Sequence, residues 1–304
     1  MKLIICGNGF DLHHKLKTGY NDYKKFLEKY YSDVLSGYES FQYLNLENNR
    51  WSYIEKSLAI EYEDLMEDAM GSYPSAFADG DSKWGVMQID VEMLTSFINK
   101  FTGKCFAKWL NSVNIQSANP DKNLNLTNED LYINYNYTNT LQLLYKIPER
   151  NILHIHGKLS EVDDGCNPSV REKIQFGAVG INSEKAKEEL TNKYKEMDFF
   201  GVSVEPAIRE ICSFIDKSTK KLDKNYPKLN AFLNNKEISE MVIMGHTLNG
   251  ADIAYYKNIL VPRYKDLKWT FMRYINEEKK IDNIKEIKDF IAEFELQYTE
   301  IIVW

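Results

Sequence analysis

All five histidines of the chain lie in or beside four short polar segments, and each segment closes an apolar run. The segments are Gly7-Asn8-Gly9-Phe10-Asp11, Asn134-Tyr135-Asn136-Tyr137-Thr138-Asn139-Thr140, His154-Ile155-His156-Gly157, and Gly245-His246-Thr247-Leu248 with Asp252 beyond it. An imidazole close to its ordinary pKa of about 6.5 serves as base or acid at neutral pH. One histidine taken singly is more often a packed structural residue. Their gathering at the ends of apolar runs favours a shared site.

The glycine turn opens the chain. Leu3-Ile4-Ile5-Cys6 reads as a buried parallel strand that stops at Gly7 and Gly9. Glycines there leave backbone N–H groups uncovered, and a helix starting near Phe10 would add a partial positive charge suited to phosphate. The spacing is shorter than the dinucleotide fingerprint, so a plain structural turn is the competing reading. Asn136 carries an uncharged donor and acceptor that can hold a sugar hydroxyl or orient a water; the alternative is that it or Thr138 caps the next helix. His154 and His156 are two apart and share a face if the strand stays regular. That admits a metal pair completed by His246 or Asp11. It equally admits a structural His154 beside a catalytic His156, next to the flexible Gly157. Glu55, at the start of a helix, is either a solvated first-turn acid or a group that reaches the site.

Composition narrows the class. The 304 residues are 43% hydrophobic and 27% charged with a formal charge of −7, which argues against broad nucleic-acid binding. Cys6, Cys105, Cys166 and Cys212 are scattered and suggest reduced thiols in the cytoplasm. Lys2 precedes only a four-residue apolar run, so neither a cleavable signal nor a membrane span is expected.

The elements that must position these groups follow from periodicity. Helices are expected at 21–31, 51–70 and 86–113, an inserted helical layer over about 20–115 within one domain of 1–304. From Leu131 onward strands alternate with helices: strands at 131–135, 151–155, 174–176, 240–244, 269–273 and 299–303, helices at 138–147, 183–194, 204–216, 251–260 and 284–294. This predicts an α/β fold with a Rossmann-like, mainly parallel sheet and helices on both faces. Ligands of such sheets bind beyond the carboxyl ends of the strands.

The order of these motifs, with His14, Trp51, Glu55 and Phe176-Gly177 between them, resembles the AbiH family, associated with abortive infection of bacteriophage. Thr247 stands where serine is usual, and Ala178 follows the Phe-Gly pair where a larger or acidic residue is common. More distantly, the chain is similar to the sirtuin-type NAD-binding fold. That resemblance implies NAD as substrate or ligand, with Gly7, Asn8, Gly9 and Phe10 at the pyrophosphate. It implies Asn136 at the nicotinamide ribose, His156 before Gly157 as catalytic base, and Gly245, Thr247 and the Ile275-Asn276 pair at the adenosine half, with Gly157 and His246 also among the cofactor-binding residues. Asp11 would stabilise charge or hold a histidine tautomer. The sirtuin zinc module has no counterpart among the cysteines, so no metal is expected and deacetylation is not implied.

The function so implied is a phage-defence NAD hydrolase that cleaves the nicotinamide–ribose bond. A phage-derived trigger or defence partner and a homo-oligomer are compatible with it. Other readings stay open: a nucleotide-binding sensor or assembly module without turnover, a metal-dependent hydrolase using His154, His156 and His246, or polar strand ends that only cap and pack.

Overall fold

β1 (Lys2–Cys6) lies at the centre of a six-stranded, all-parallel sheet, between β2 (Leu131–Asn134) and β4 (Glu240–Met244). β3 (Ile152–His154) extends the sheet beyond β2, and β5 (Lys268–Arg273) and β6 (Thr299–Val303) extend it beyond β4. The order is β3-β2-β1-β4-β5-β6, with the direction of winding reversing between β1 and β4. This architecture comes from a computed structural model describing residues 1–43, 51, 54–71, 86–158, 174–178, 182–195, 203–248, 250–273 and 280–303.

The central strands read as unbroken apolar runs because both faces are covered. Alternation along β1 divides its side chains between two cores. Leu3 and Ile5, with Ile133, Ile243 and Phe271, pack under Leu229, Tyr255, Tyr256 and Phe290. Ile4 and Cys6, with Tyr132, Val242 and Met244, pack on the other face with Phe10 and Leu141. No helix of the described residues is long and apolar enough to cross a membrane.

The chain divides into two compact units. The sheet belongs to residues 1–23, 107–174 and 221–304. The second unit takes residues 24–106 and 175–220. Within it, the helix Val86–Lys100 packs against the helix Glu205–Ser218, and Phe101 stacks on Tyr38 with ring centroids 4.1 Å apart.

Some expectations change, and one helix stands where none was expected. Residues 174–176 form no strand; Ile174 makes a single antiparallel bridge to Gly157. The helix expected over 51–70 is two pieces, Ile54–Ser57 and Tyr62–Met70. A helix at Leu222–Leu233 forms around Pro227, a residue that sequence reading takes as a breaker.

Candidate functional site

β1 ends where the loop after β4 passes over it. The Gly7 N–H donates to the Met244 carbonyl at 2.9 Å, the Gly9 N–H to the Gly245 carbonyl at 2.8 Å, and the Phe10 N–H to the Gly7 carbonyl at 2.9 Å. A Cβ at Gly7 would stand 2.4 Å from the His246 Cα, and one at Gly9 2.7 Å from the Gly245 Cα. The glycines therefore admit a second backbone. Three of the N–H groups expected to face a pyrophosphate are already bonded within the protein.

The helix Asn8–His13 that follows carries Asp11 into the interior. Its carboxylate accepts from the Thr138 hydroxyl at 2.6 Å and the Thr140 hydroxyl at 2.7 Å. Burial raises its pKa to about 6, and the two hydroxyl bonds oppose the rise. Asp11 thus fixes the loop after β2 to the loop after β1. Asn136 strengthens the same joint: its Nδ2 donates to the Gly7 carbonyl at 2.9 Å. Asn134 shapes the turn, accepting from the Asn136 N–H at 3.0 Å and donating to the Thr138 carbonyl at 3.2 Å.

β3 stops at His154, so the two histidines do not share a face. The chain turns, with the Gly157 N–H on the His154 carbonyl at 3.1 Å. His154 Nδ1 donates to the Asn136 carbonyl at 3.3 Å and Nε2 accepts from Gln142 at 2.9 Å. Burial lowers its pKa to about 4, which fits a neutral ring in that tautomer. His156 turns instead toward Asp252, with Nε2 3.2 Å from Oδ1 but not aligned for a hydrogen bond.

Asp252 has a second imidazole on its other oxygen: His246 Nε2 lies 3.5 Å from Oδ2. Burial pushes the Tyr256 phenol well above its ordinary range, so it keeps a proton to direct at its one hydrogen-bonded neighbour among the described residues, His246 Nδ1 at 2.9 Å, and we take it as the donor. That bond leaves the His246 proton on Nε2, facing Asp252. The ring of Tyr135 lies 4.1 Å from that of His246 and 5.2 Å from that of His156, centroid to centroid. Arg273, paired with Glu286 at 2.7 Å, donates to the His246 carbonyl, and Glu286 accepts from the Leu248 N–H. These contacts hold the loop that presents His246.

Phe10 packs in the second core, and Thr247 is exposed. His14 bonds the Phe10 carbonyl at 2.7 Å and the Tyr145 hydroxyl at 2.5 Å, and His13 pairs with Asp121 at 2.9 Å. Glu55, in the second unit, pairs with the buried Lys220 at 2.8 Å. Asn276 lies outside the described residues. Among the described residues no group of three or more His, Cys, Asp or Glu is placed to hold a metal ion. Sequence reading passed over Tyr135, Tyr256 and Arg273, and named Asp252 only for its position after the Gly245 segment. The one available signal was their proximity to strand ends.

Gly7, Gly9, Asn136, His156, Gly245 and His246 therefore meet around the carboxyl ends of β1, β2 and β4, where the strand order reverses. A parallel sheet in this order, with its polar groups at that point, defines an α/β protein of the Rossmann-like class. The family described as Bacteriophage abortive infection AbiH matches residues 3–273, and the chain belongs to that family. Membership indicates a role in abortive infection, a defence against phage. No curated protein and no solved structure matches the chain.

Proposed function

We propose that in abortive infection this chain binds a dinucleotide of the NAD type beside the ends of β1 and β4 and hydrolyses its nicotinamide–ribose bond. The observation that carries the reading is the Asp252 carboxylate set between His156 and His246 at the reversal of strand order. Cleavage sends the C–N bonding pair to the pyridinium nitrogen and leaves an oxocarbenium-like ribose, which water attacks at C1′. His156 accepts the proton released by that water or by a ribose hydroxyl. Asp252 stabilises the imidazolium so formed. Asp11 and Asn136 act behind the site, locking the glycine turn to the loop after β2.

The test is NAD content in cells expressing the chain, wild type against His156→Ala, before and after phage challenge. Wild type should deplete NAD and release nicotinamide, and the variant should do neither. Equal depletion by both overturns the assignment of His156.

A second reading, nucleotide binding without turnover, is favoured by one observation. His156 is only 1% exposed and the Asn136 amide is bonded to the Gly7 carbonyl, so each of these groups is already enclosed or engaged within the protein. Tight calorimetric binding of NAD, with NAD levels in challenged cells unchanged, would select that reading.

A further inference from the structure

Tyr135 follows directly on β2, and its N–H is tied to the Cys6 carbonyl at 2.9 Å. The ring packs against both imidazoles of the site, edge-on to His156 at 84° and tilted by 45° to His246. Only 6% of the residue is exposed, yet its hydroxyl has no hydrogen-bond partner among the described residues. The neighbouring phenols are all engaged. Tyr255 accepts from Asn225 at 2.8 Å, Tyr226 accepts from Asn258 at 2.8 Å, and Tyr256 donates to His246 at 2.9 Å.

A buried hydroxyl without a partner costs free energy that phenylalanine, filling the same ring space, would avoid. The ring packing therefore explains the aromatic side chain and leaves the oxygen unexplained. Burial, the largest influence, and the surrounding phenols and Asp252 all raise the Tyr135 pKa well above its usual value, so the group stays O–H and can donate. The same Asp252 charge disfavours a phosphate at this point. A neutral oxygen suits the donor better, and the neutral oxygens of a nucleotide that come close to a base are its sugar hydroxyls.

We propose that the Tyr135 hydroxyl donates a hydrogen bond to a ribose hydroxyl of the nucleotide held beside His156, Asp252 and His246. This inference rests on the nucleotide reading above and adds to it a sugar-recognising group. The vicinal diol of the terminal ribose would then be held from two sides, one oxygen by Tyr135 and the other by the imidazole and carboxylate pair.

The experiment is calorimetry of ADP-ribose, and of ADP-ribose analogues lacking the terminal 2′- or 3′-hydroxyl, on wild type and Tyr135→Phe, with thermal unfolding of both proteins. Tyr135→Phe should weaken ADP-ribose binding at least about tenfold. One of the deoxy analogues should bind both proteins equally, since the contact is already gone. The variant should melt no lower than wild type, because it loses only an unsatisfied group. Equal affinity of both proteins for ADP-ribose overturns the inference and leaves the nucleotide reading standing. A lowered melting temperature overturns it too, since the hydroxyl would then have a structural partner. If wild type binds neither ADP-ribose nor NAD, the nucleotide reading falls and this inference falls with it.

Discussion

The backbone of Gly9 lies directly on that of Gly245, with the N–H of the first on the carbonyl of the second at 2.8 Å. Each glycine leaves room for the other, so the opening motif of the chain and the motif some 240 residues later form one joint.

That joint predicts an asymmetry between two glycines of the same loop. Gly245 has φ +61°, and a Cβ there would meet the Gly9 backbone at 2.5 Å. Gly250 has φ +72°, with nothing within 4 Å of its Cβ position. Gly245→Ala should lose about 2–4 kcal/mol, combining backbone strain with overpacking. Gly250→Ala should lose about 1 kcal/mol from strain alone. Urea unfolding of both variants checks this, and equal losses would refute the loop contact.

Asp11 predicts a dependence of stability on pH. Its pKa rises from 3.8 in the unfolded chain to about 6 in the fold, so between these values the folded chain holds a proton that the unfolded chain has released. Its contribution is complete below pH 4 and declines as pH rises through 6, by about 3 kcal/mol in all for a fully buried group. Asp11→Asn has no such titration. The stability of the variant relative to wild type should increase by that amount between pH 4 and pH 7, followed by urea unfolding at a series of pH values. A difference that stays constant across the range would show that Asp11 is ionised throughout.

His154 predicts the opposite kind of silence. With its pKa lowered to about 4, the ring should remain neutral with the proton on Nδ1 as pH falls through 6 and 5. Histidine-selective nitrogen NMR reads both the charge and the tautomer. A ring that charges at its ordinary pKa would mean that the Asn136 and Gln142 contacts do not persist in solution.

These residues show how far a sequence speaks for itself. The strands were legible because unbroken runs such as Leu3-Ile4-Ile5-Cys6 and Met241-Val242-Ile243-Met244 can only be buried, and sheet order made their ends converge. The glycines were legible as missing side chains, but what fills the gap is another backbone remote in sequence. His154 and His156 were expected on one face because nothing local marks the end of β3 between them. The helix around Pro227 was hidden because the packing of Leu229 and Leu233 under the sheet outweighs one lost hydrogen bond. Tyr135 and Tyr256 went unnoticed because a tyrosine in an apolar stretch looks like core, and both are core as well as site.

Asp252 gives the sharpest prediction, because its two oxygens face two imidazoles and the Nδ1 of one of them, His246, lies against the Tyr256 hydroxyl. Both rings direct Nε2 at the carboxylate, His156 at 3.2 Å and His246 at 3.5 Å. In Asp252→Asn one oxygen becomes an amide donor, and one ring must then present an unprotonated Nε2. His246 cannot easily change, since the Tyr256 hydroxyl donates to its Nδ1. The change falls on His156, whose proton moves to Nδ1, and a base in the wrong tautomer loses its role, as it does when the aspartate of a serine-protease triad becomes asparagine. On the proposed reaction, Asp252→Asn should therefore slow nicotinamide release by about 10²–10⁴-fold. Adding Tyr256→Phe frees His246 to take the change instead, so the double variant should regain part of the lost rate. Nitrogen NMR should show the proton of His156 on Nδ1 in the single variant and back on Nε2 in the double. If the double variant is slower than the single one, the two imidazoles do not share this carboxylate in the way the distances indicate.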